Sequence, residues 1–363
     1  MLSICSHFRL EGTPILCSPF GGGHINRTYL VVTNAPRLYI LQCVNGAVFK
    51  DAPGLMGNIA AVCAHLQRKV TDPRHAMNLV PTLEGDDYIL LPDDEINGSP
   101  VCWRVFDYVP GGVCLDLPES PEDLRQTGAA FGMFQNQLAD FPAHTLVESI
   151  PHFHDTPDRF RQLHQAINED RSGRLQQVQS EAEALLRYEE DGHYLADLLS
   201  GGRLPLRVTH NDTKLNNVML DEKTRTPLCV MDLDTVMPGL IAHDFGDAIR
   251  TGACTAAEDE QDLTKVGMSM PMYRAFTEGF LGACGRSLTP LEVESLPWGA
   301  KLMTLECAVR FMTDHLNGDI YFRVHRENHN LDRCRTQLAL LRDMERQWDD
   351  MFRVVREVMA SLA

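Results

Sequence analysis

The chain has 363 residues, of which 44% are hydrophobic and 23% charged, and its formal net charge is −17. That apolar content excludes a disordered chain, and 26 Gly with 20 Pro are far too few for a collagen-like one. An acidic field of this size opposes a polyanion, so no nucleic-acid partner is expected.

Residues 1–106 read as a small strand-rich lobe. Tyr29–Val32 and Leu38–Leu41 are short β-branched and aromatic runs, and Asn34-Ala-Pro36 between them makes a hairpin. Leu55, Ile59, Val62, Cys63 and Leu66 fall on one face of a helix over 53–69. Two further strands follow at Tyr88–Leu91 and Val101–Tyr108, with Asn97-Gly98-Ser99 as their turn. Pro110-Gly111-Gly112 breaks the pattern, so a connector is expected near 106–112 and a larger, mainly helical lobe over 107–363.

In that second lobe Ser120-Pro121-Glu122-Asp123 is a helix start, with Leu124, Phe131, Phe134, Leu138 and Phe141 as the buried stripe behind it. Thr156-Pro157-Asp158 repeats the signal ahead of Phe160, Leu163 and Ile167. Further helices are expected over 176–199, 258–282, 290–316 and 331–360. An island of short strands interrupts them at Leu206–Thr209, Val218–Leu220 and Leu228–Met231. The fold class is therefore α+β.

No run approaches the roughly 18 apolar residues of a membrane span. The N-terminus, MLSICSHFRLEG, lacks the unbroken apolar stretch of a secretory leader. The eleven cysteines are scattered without a C-x-x-C pair, which suits reduced thiols. A cytoplasmic protein with no membrane partner is expected; its oligomeric state is left open.

The densest polar cluster is Val208-Thr-His-Asn-Asp-Thr-Lys-Leu-Asn-Asn-Val218, followed after two strands by Met231-Asp-Leu-Asp-Thr235. If those strands form a hairpin, Asn217 and Asp232 can converge, with Asp212 nearby. Oxygen ligands from Asn and Asp, completed by water and phosphate, suit Mg²⁺. The remaining carboxylate, Asp212, can take the proton of an attacking hydroxyl. That is the division of labour phosphoryl transfer needs.

His210-Asn-Asp212 with Asn217 resembles the catalytic loop of the aminoglycoside phosphotransferase and choline kinase superfamily, relatives of the protein kinases. The resemblance implies a two-lobed protein-kinase-like fold, with an antiparallel-sheet N-terminal lobe. It also implies Asp212 as catalytic base and Asn217 and Asp232 as Mg²⁺ ligands. Asp244-Phe-Gly-Asp247 follows the metal aspartate and is read as a structural segment, with Asp247 anchoring a loop.

Gly22-Gly-His-Ile-Asn-Arg-Thr-Tyr29, Tyr39-Ile-Leu-Gln42, His152-Phe-His-Asp-Thr-Pro157, Asp232-Leu-Asp-Thr-Val-Met-Pro-Gly239 and Arg310 to Phe322 are together similar to the N-acetylhexosamine 1-kinases. These phosphorylate the anomeric hydroxyl of N-acetylglucosamine and N-acetylgalactosamine. By that resemblance ATP is the cofactor and a small sugar the partner. His24, Asp212, Arg310 and Tyr321 would meet the sugar, and Gly22 and Gly23 would cover the nucleotide phosphates, with adenine near Phe106 and Tyr108.

One departure stands out. Protein kinases hold the nucleotide phosphates with a strand lysine paired to a helix glutamate. Here Tyr39–Val44 has no lysine and 53–69 has no acid; Lys50 is the nearest replacement. Two rivals stay open: a kinase of choline, homoserine or an aminoglycoside, and a nucleotide-binding pseudokinase.

Overall fold

The computed structural model describes residues 1–22, 25–93 and 99–362. They divide into two compact units: 1–113 with 140–151 and 219–238, and 114–139 with 152–218 and 239–363.

The first unit opens with the short helix α1 (Leu2–Cys5), then β1 (Pro14–Pro19), β2 (Arg27–Thr33) and β3 (Leu38–Cys43). Helix α2 (Ala52–Gln67) precedes β4 (Ile89–Asp93) and β5 (Ser99–Asp107). These five strands form an antiparallel sheet in the order β1-β2-β3-β5-β4. Both expected hairpins are present. The turn expected at Asn97-Gly98-Ser99 lies largely outside the described residues.

Strand β1 escaped the sequence reading. It is an edge strand bounded by prolines, with Ile15 and Leu16 exposed, so it lacks the alternation of a half-buried strand. The sheet's buried side carries Val31, Tyr39, Leu41, Trp103 and Val105. Helix α2 starts on Asp51, which accepts the Gly54 N–H. Its buried face contains Leu55, Ile59, Val62, Cys63 and Leu66 as expected, and also Asn58.

A second small sheet, in the order β6-β8-β9, joins β6 (Gly112–Cys114), β8 (Val218–Asp221) and β9 (Pro227–Val230). The hairpin that the catalytic reading required therefore exists between β8 and β9. Asn217 precedes it by one residue and Asp232 follows it by two.

The second unit is helical around the short strand β7 (Arg207–Thr209). Helix α3 (Pro121–Gln137) begins with a reciprocal capping box, Ser120 Oγ accepting from Asp123 N and the Asp123 carboxylate from Ser120 N. Helix α4 (Thr156–Glu169) starts one residue earlier than the Thr-Pro-Asp signal implies. Asp155 is the cap, and the Thr156 hydroxyl is spent on Glu306.

The run expected as one helix over 176–199 is broken into α5 (Gln179–Leu186), α6 (Glu189–Gly192) and α7 (Tyr194–Ser200). Short strand β10 (Met237–Gly239) leads into α8 (Ile241–Gly252), the Asp244-Phe-Gly-Asp247 segment. The helix expected over 258–282 begins only at Met270, giving α9 (Met270–Cys284), since 258–269 is irregular. Then come α10 (Pro290–Asn317), α11 (His329–Arg346) and α12 (Trp348–Ser361), the last two separated at Gln347. The fold class is α+β, with a sheet-rich N-terminal part and a larger helical part.

Candidate phosphotransfer site

After β7 the chain enters the loop 210–217, which must turn sharply and bury its backbone. Asn211 takes a left-handed conformation (φ 64°), which asparagine tolerates better than most residues. Helix α8 satisfies the buried amides. Asp244 accepts from His210 N (2.8 Å) and Asn211 N (2.7 Å), and from Gln135 Nε2 (2.7 Å). Asp247 accepts from Thr213 N (2.9 Å), and Thr213 Oγ1 donates to the Asp244 carbonyl (2.6 Å). Asp247 is thus the loop anchor expected from the sequence, and Asp244 is a second. The His210 ring lies edge-on to Phe131 and Phe134 of α3, two members of the expected apolar stripe.

Asp212 projects from this braced loop with its side chain 25% exposed. Its Oδ1 lies 2.7 Å from Lys214 Nζ, and its Oδ2 accepts from Asn217 Nδ2 at 3.1 Å. The same Nδ2 donates to the Asp212 carbonyl (2.8 Å), which leaves Asn217 Oδ1 as the atom able to ligate a cation. Burial pushes the Asp212 carboxyl up, but Lys214, His210 and Asn217 together pull it below its ordinary value. It is therefore an ionised proton acceptor at neutral pH.

In the first unit Asp232 follows β9 in a left-handed conformation (φ 54°, ψ 63°) and is exposed. Asp234, two residues on, is buried. It accepts from Asn26 Nδ2 (2.5 Å) and pairs with Arg104 Nη1 (2.5 Å). Gly21 has φ +75°, a left-handed position that favours glycine, and a Cβ on Gly22 would meet open space. Gly23 and His24 lie outside the described residues. Phe106 is buried on β5 with its ring 5.2 Å from the Arg104 guanidinium, and half-buried Tyr108 stands edge-on to Phe20. Lys50 is exposed.

In the second unit the Arg310 guanidinium lies 5.3–5.8 Å from the rings of Phe153, Tyr321 and Phe322, and its Nη2 is 3.5 Å from the Tyr321 hydroxyl. Tyr321 is 66% exposed. The loop carrying it is held by Asp314, which accepts from Ile320 N, Tyr321 N, Phe322 N and Asn330 Nδ2 at 2.8–3.0 Å. Glu306 does not depend on Arg310 for hydrogen bonds, because its oxygens accept from His154 Nδ1 and Thr156 Oγ1, both at 2.9 Å. His154 Nε2 donates to the Asn211 carbonyl at 3.1 Å. His154 therefore links the residue before Asp212 to the helix of Arg310.

The sequence matches the profile of the phosphotransferase enzyme family (APH) over residues 17–275. The chain belongs to that family. Among solved structures, this phosphotransferase is similar to a microcompartment-associated aminopropanol kinase, with a TM-score of 0.60 at 15% identity over 96% of this chain and 97% of that one. It is similar also to an amicoumacin kinase, with a TM-score of 0.61 at 13% identity over 93% and 92% of the two chains. An aminoglycoside phosphotransferase from Alicyclobacillus acidocaldarius gives a TM-score of 0.58 at 14% identity over 99% and 94%. At these identities the likeness is one of fold: the phosphotransferase is protein-kinase-like.

Sequence reasoning missed the roles of five side chains in this phosphotransferase. Lys214, two residues after Asp212, was legible in the His-Asn-Asp-Thr-Lys run. Glu306 and Arg104 were legible as charges inside apolar stretches. The roles of His154 and Asp314 depend on partners more than 50 and on loop amides up to eight residues away, which no spacing reveals. Among the described residues no group of three or more His, Cys, Asp or Glu could hold a metal ion.

Proposed function

We propose that this phosphotransferase is an ATP-dependent kinase of N-acetylhexosamines, transferring the γ-phosphoryl group to the anomeric C1 hydroxyl of N-acetylglucosamine or N-acetylgalactosamine. The observation that carries the reading is Asp212: a carboxylate kept ionised by Lys214, His210 and Asn217 on a loop whose His210, Asn211 and Thr213 amides are braced from α8. In the reaction the C1 oxygen bonds to the γ-phosphorus and the bond from phosphorus to the bridging oxygen breaks. ADP leaves with the electron pair, and the hydroxyl proton passes to Asp212.

Asn217 and Asp232 offer an amide and a carboxylate oxygen, a donor set that fits Mg²⁺. Bound there, the ion would neutralise charge on the phosphates. The amicoumacin kinase of similar fold is a complex with AMP-PNP and Ca²⁺, which supports a nucleotide and a divalent cation. On the acceptor side, the Arg310 fork and Tyr321 ring suit a neutral, amide-bearing sugar, with His24 as a further contact.

The test is ATP consumption with Mg²⁺ over N-acetylglucosamine, N-acetylgalactosamine, glucose, galactose, choline and kanamycin, with phosphorus NMR of the product. A sugar 1-phosphate from the N-acetylated pair is expected. Asp212→Asn should lower kcat by about 10²–10⁴-fold with the fold retained. Turnover confined to choline or kanamycin would discard the acceptor reading, and wild-type turnover by Asp212→Asn would discard the mechanism.

A further inference from the structure

The lysine and glutamate that protein kinases use at the nucleotide phosphates are missing from β3 and α2, and what occupies their neighbourhood is unusual. Arg104 sits in β5 directly opposite Gln42 of β3 and is 1% exposed. A guanidinium is seldom buried so completely unless it is paired. Its Nε and Nη2 both donate to Gln42 Oε1 (3.0 and 2.8 Å), and its Nη1 meets Asp234. Against the cost of burial, Asp234 first and then exposed Asp232 raise its affinity for the proton.

Asp234 is the hub of this arrangement. One oxygen pairs with Arg104 and the other accepts from Asn26, the residue immediately before β2. Asn26 is itself fixed, its Oδ1 accepting from Asn45 N (3.0 Å). The Asp234 carbonyl accepts from Ser149 Oγ (3.0 Å). Helix α2, which has no acid to offer, supplies Asn58 instead, whose Nδ2 donates to the carbonyls of Val147 (2.8 Å) and Val236 (3.1 Å).

The segment 232–236 is thus held by Asn26, β5, α2 and Ser149. Asp232 sits at its head in a left-handed conformation, two residues before the anchored Asp234. All of these residues belong to the first unit.

We infer that Arg104, Asp234 and Asn26 form a clamp that registers the start of β2 to the turn carrying Asp232, so that nucleotide phosphates and their divalent cation meet one preset frame. The clamp does the positioning work of the absent lysine–glutamate pair without touching the nucleotide. Its three members are positioning residues. The inference rests on the reading that ATP and a divalent cation bind here and is independent of which acceptor is used.

The experiment compares wild type with Asn26→Ala, Arg104→Lys and Arg104→Met, each first checked for folding by circular dichroism. Affinity for ATP is then measured by displacement of a fluorescent ATP analogue, with Mg²⁺ and with EDTA. Asn26→Ala leaves the buried Arg104–Asp234 pair intact and is the variant expected to fold in any case. It should weaken Mg²⁺·ATP binding about tenfold while metal-free ATP changes less than twofold. Arg104→Met should lose more and Arg104→Lys should recover part of the loss, since an ammonium can pair with Asp234 but cannot also span Gln42.

Folded Asn26→Ala and Arg104→Lys proteins with wild-type Mg²⁺ dependence would overturn the clamp while leaving the kinase reading intact. A lowered Tm with unchanged Mg²⁺ dependence would likewise overturn it, reducing the three to structural residues. A wild-type protein that binds no Mg²⁺·ATP would overturn the kinase reading and the clamp with it.

Discussion

His154 and Glu306 show how far a single buried pair can organise a site. Burial opposes charge on both, yet the Glu306 carboxyl is held down at about 2 by His154, Arg310 and Arg159, and the His154 imidazole is raised, chiefly by Glu306. His243, whose ring lies 5.2 Å from His154, is driven the other way to about 3 by burial and by its charged neighbour. Glu306 is therefore ionised at neutral pH and His243 uncharged, while both ring nitrogens of His154 face oxygen acceptors, the arrangement of an imidazolium. A lowered carboxyl contributes stability that is full above its unfolded value of 4.5 and lost as pH falls toward 2. A raised histidine contributes stability that is full below its unfolded value of 6.5 and lost as pH rises through its higher folded value. Glu306→Gln should thus cost about 3–5 kcal/mol, as breaking a buried pair does. Thermal melts from acid to alkaline pH should show the largest gap from wild type between pH 4.5 and 6.5, narrowing on both sides. A gap independent of pH would show that the pair is not ionic. At this scale the sequence was legible wherever chemistry clusters within a few residues: Asp212, Asn217 and Asp247 stand in one loop and its brace. Glu306 stood out as a charge in an apolar stretch, but its partners did not, because they come from positions 154 and 156.

Helix pairing depends on where the chain omits side chains. Helices α3 and α9 approach until Gly128 and Gly132 of one face the carbonyls of Phe276 and Phe280, and Gly279 of the other faces the carbonyl of Arg125. A Cβ at Gly279 would fall inside that carbonyl's contact radius. A second close crossing, of α8 with α10, uses Gly246 and Gly299 in the same way. It brings the Asp244–Asp247 brace against the helix of Glu306 and Arg310. In an exposed helix Gly→Ala gains about 1 kcal/mol, whereas overpacking costs about 1–3 kcal/mol. At Gly279 the obstacle is backbone, which cannot swing aside, so the cost wins, and Gly279→Ala should destabilise by about 2 kcal/mol. Gly282→Ala, on the same helix with open space at its Cβ, should be neutral or slightly stabilising. Urea titration of both variants checks this, and equal midpoints would refute the close-crossing argument. The apolar stripe and the Ser120 cap made α3 legible, since both are local. Its glycines were not, because a gap has no periodic signature until the partner helix is known. The breaks within 176–199 and at Gln347 were hidden for a related reason: apolar spacing runs on across short interruptions that backbone hydrogen bonding does not.

Over the whole molecule the charge of −17 makes salt dependence a way to tell apart the acceptor chemistries that the fold permits. Charge acts through the salt dependence of encounter and binding, since the screening length falls from about 30 Å at 0.01 M to about 8 Å at 0.15 M. A neutral N-acetylhexosamine feels no net force from that field. Its KM should stay within about twofold across that range, the only long-range electrostatic term having been removed. A polycationic aminoglycoside is drawn in at low salt, so its KM would climb steeply as salt is added. Choline, with one positive charge, would show the same sign with a smaller slope. Mg²⁺·ATP, which remains anionic, is repelled by the acidic protein and should show the opposite sign, its KM falling or holding as salt rises. Initial rates at several salt concentrations, varying acceptor and nucleotide in turn, read all of these slopes from one preparation. A flat acceptor slope beside a falling nucleotide slope is the pattern expected of a neutral sugar meeting Arg310 and Tyr321. A rising acceptor slope on the best substrate found would mean that the acidic field itself recruits a cation, and the weight would move from the Arg310 fork to the carboxylates around Asp212.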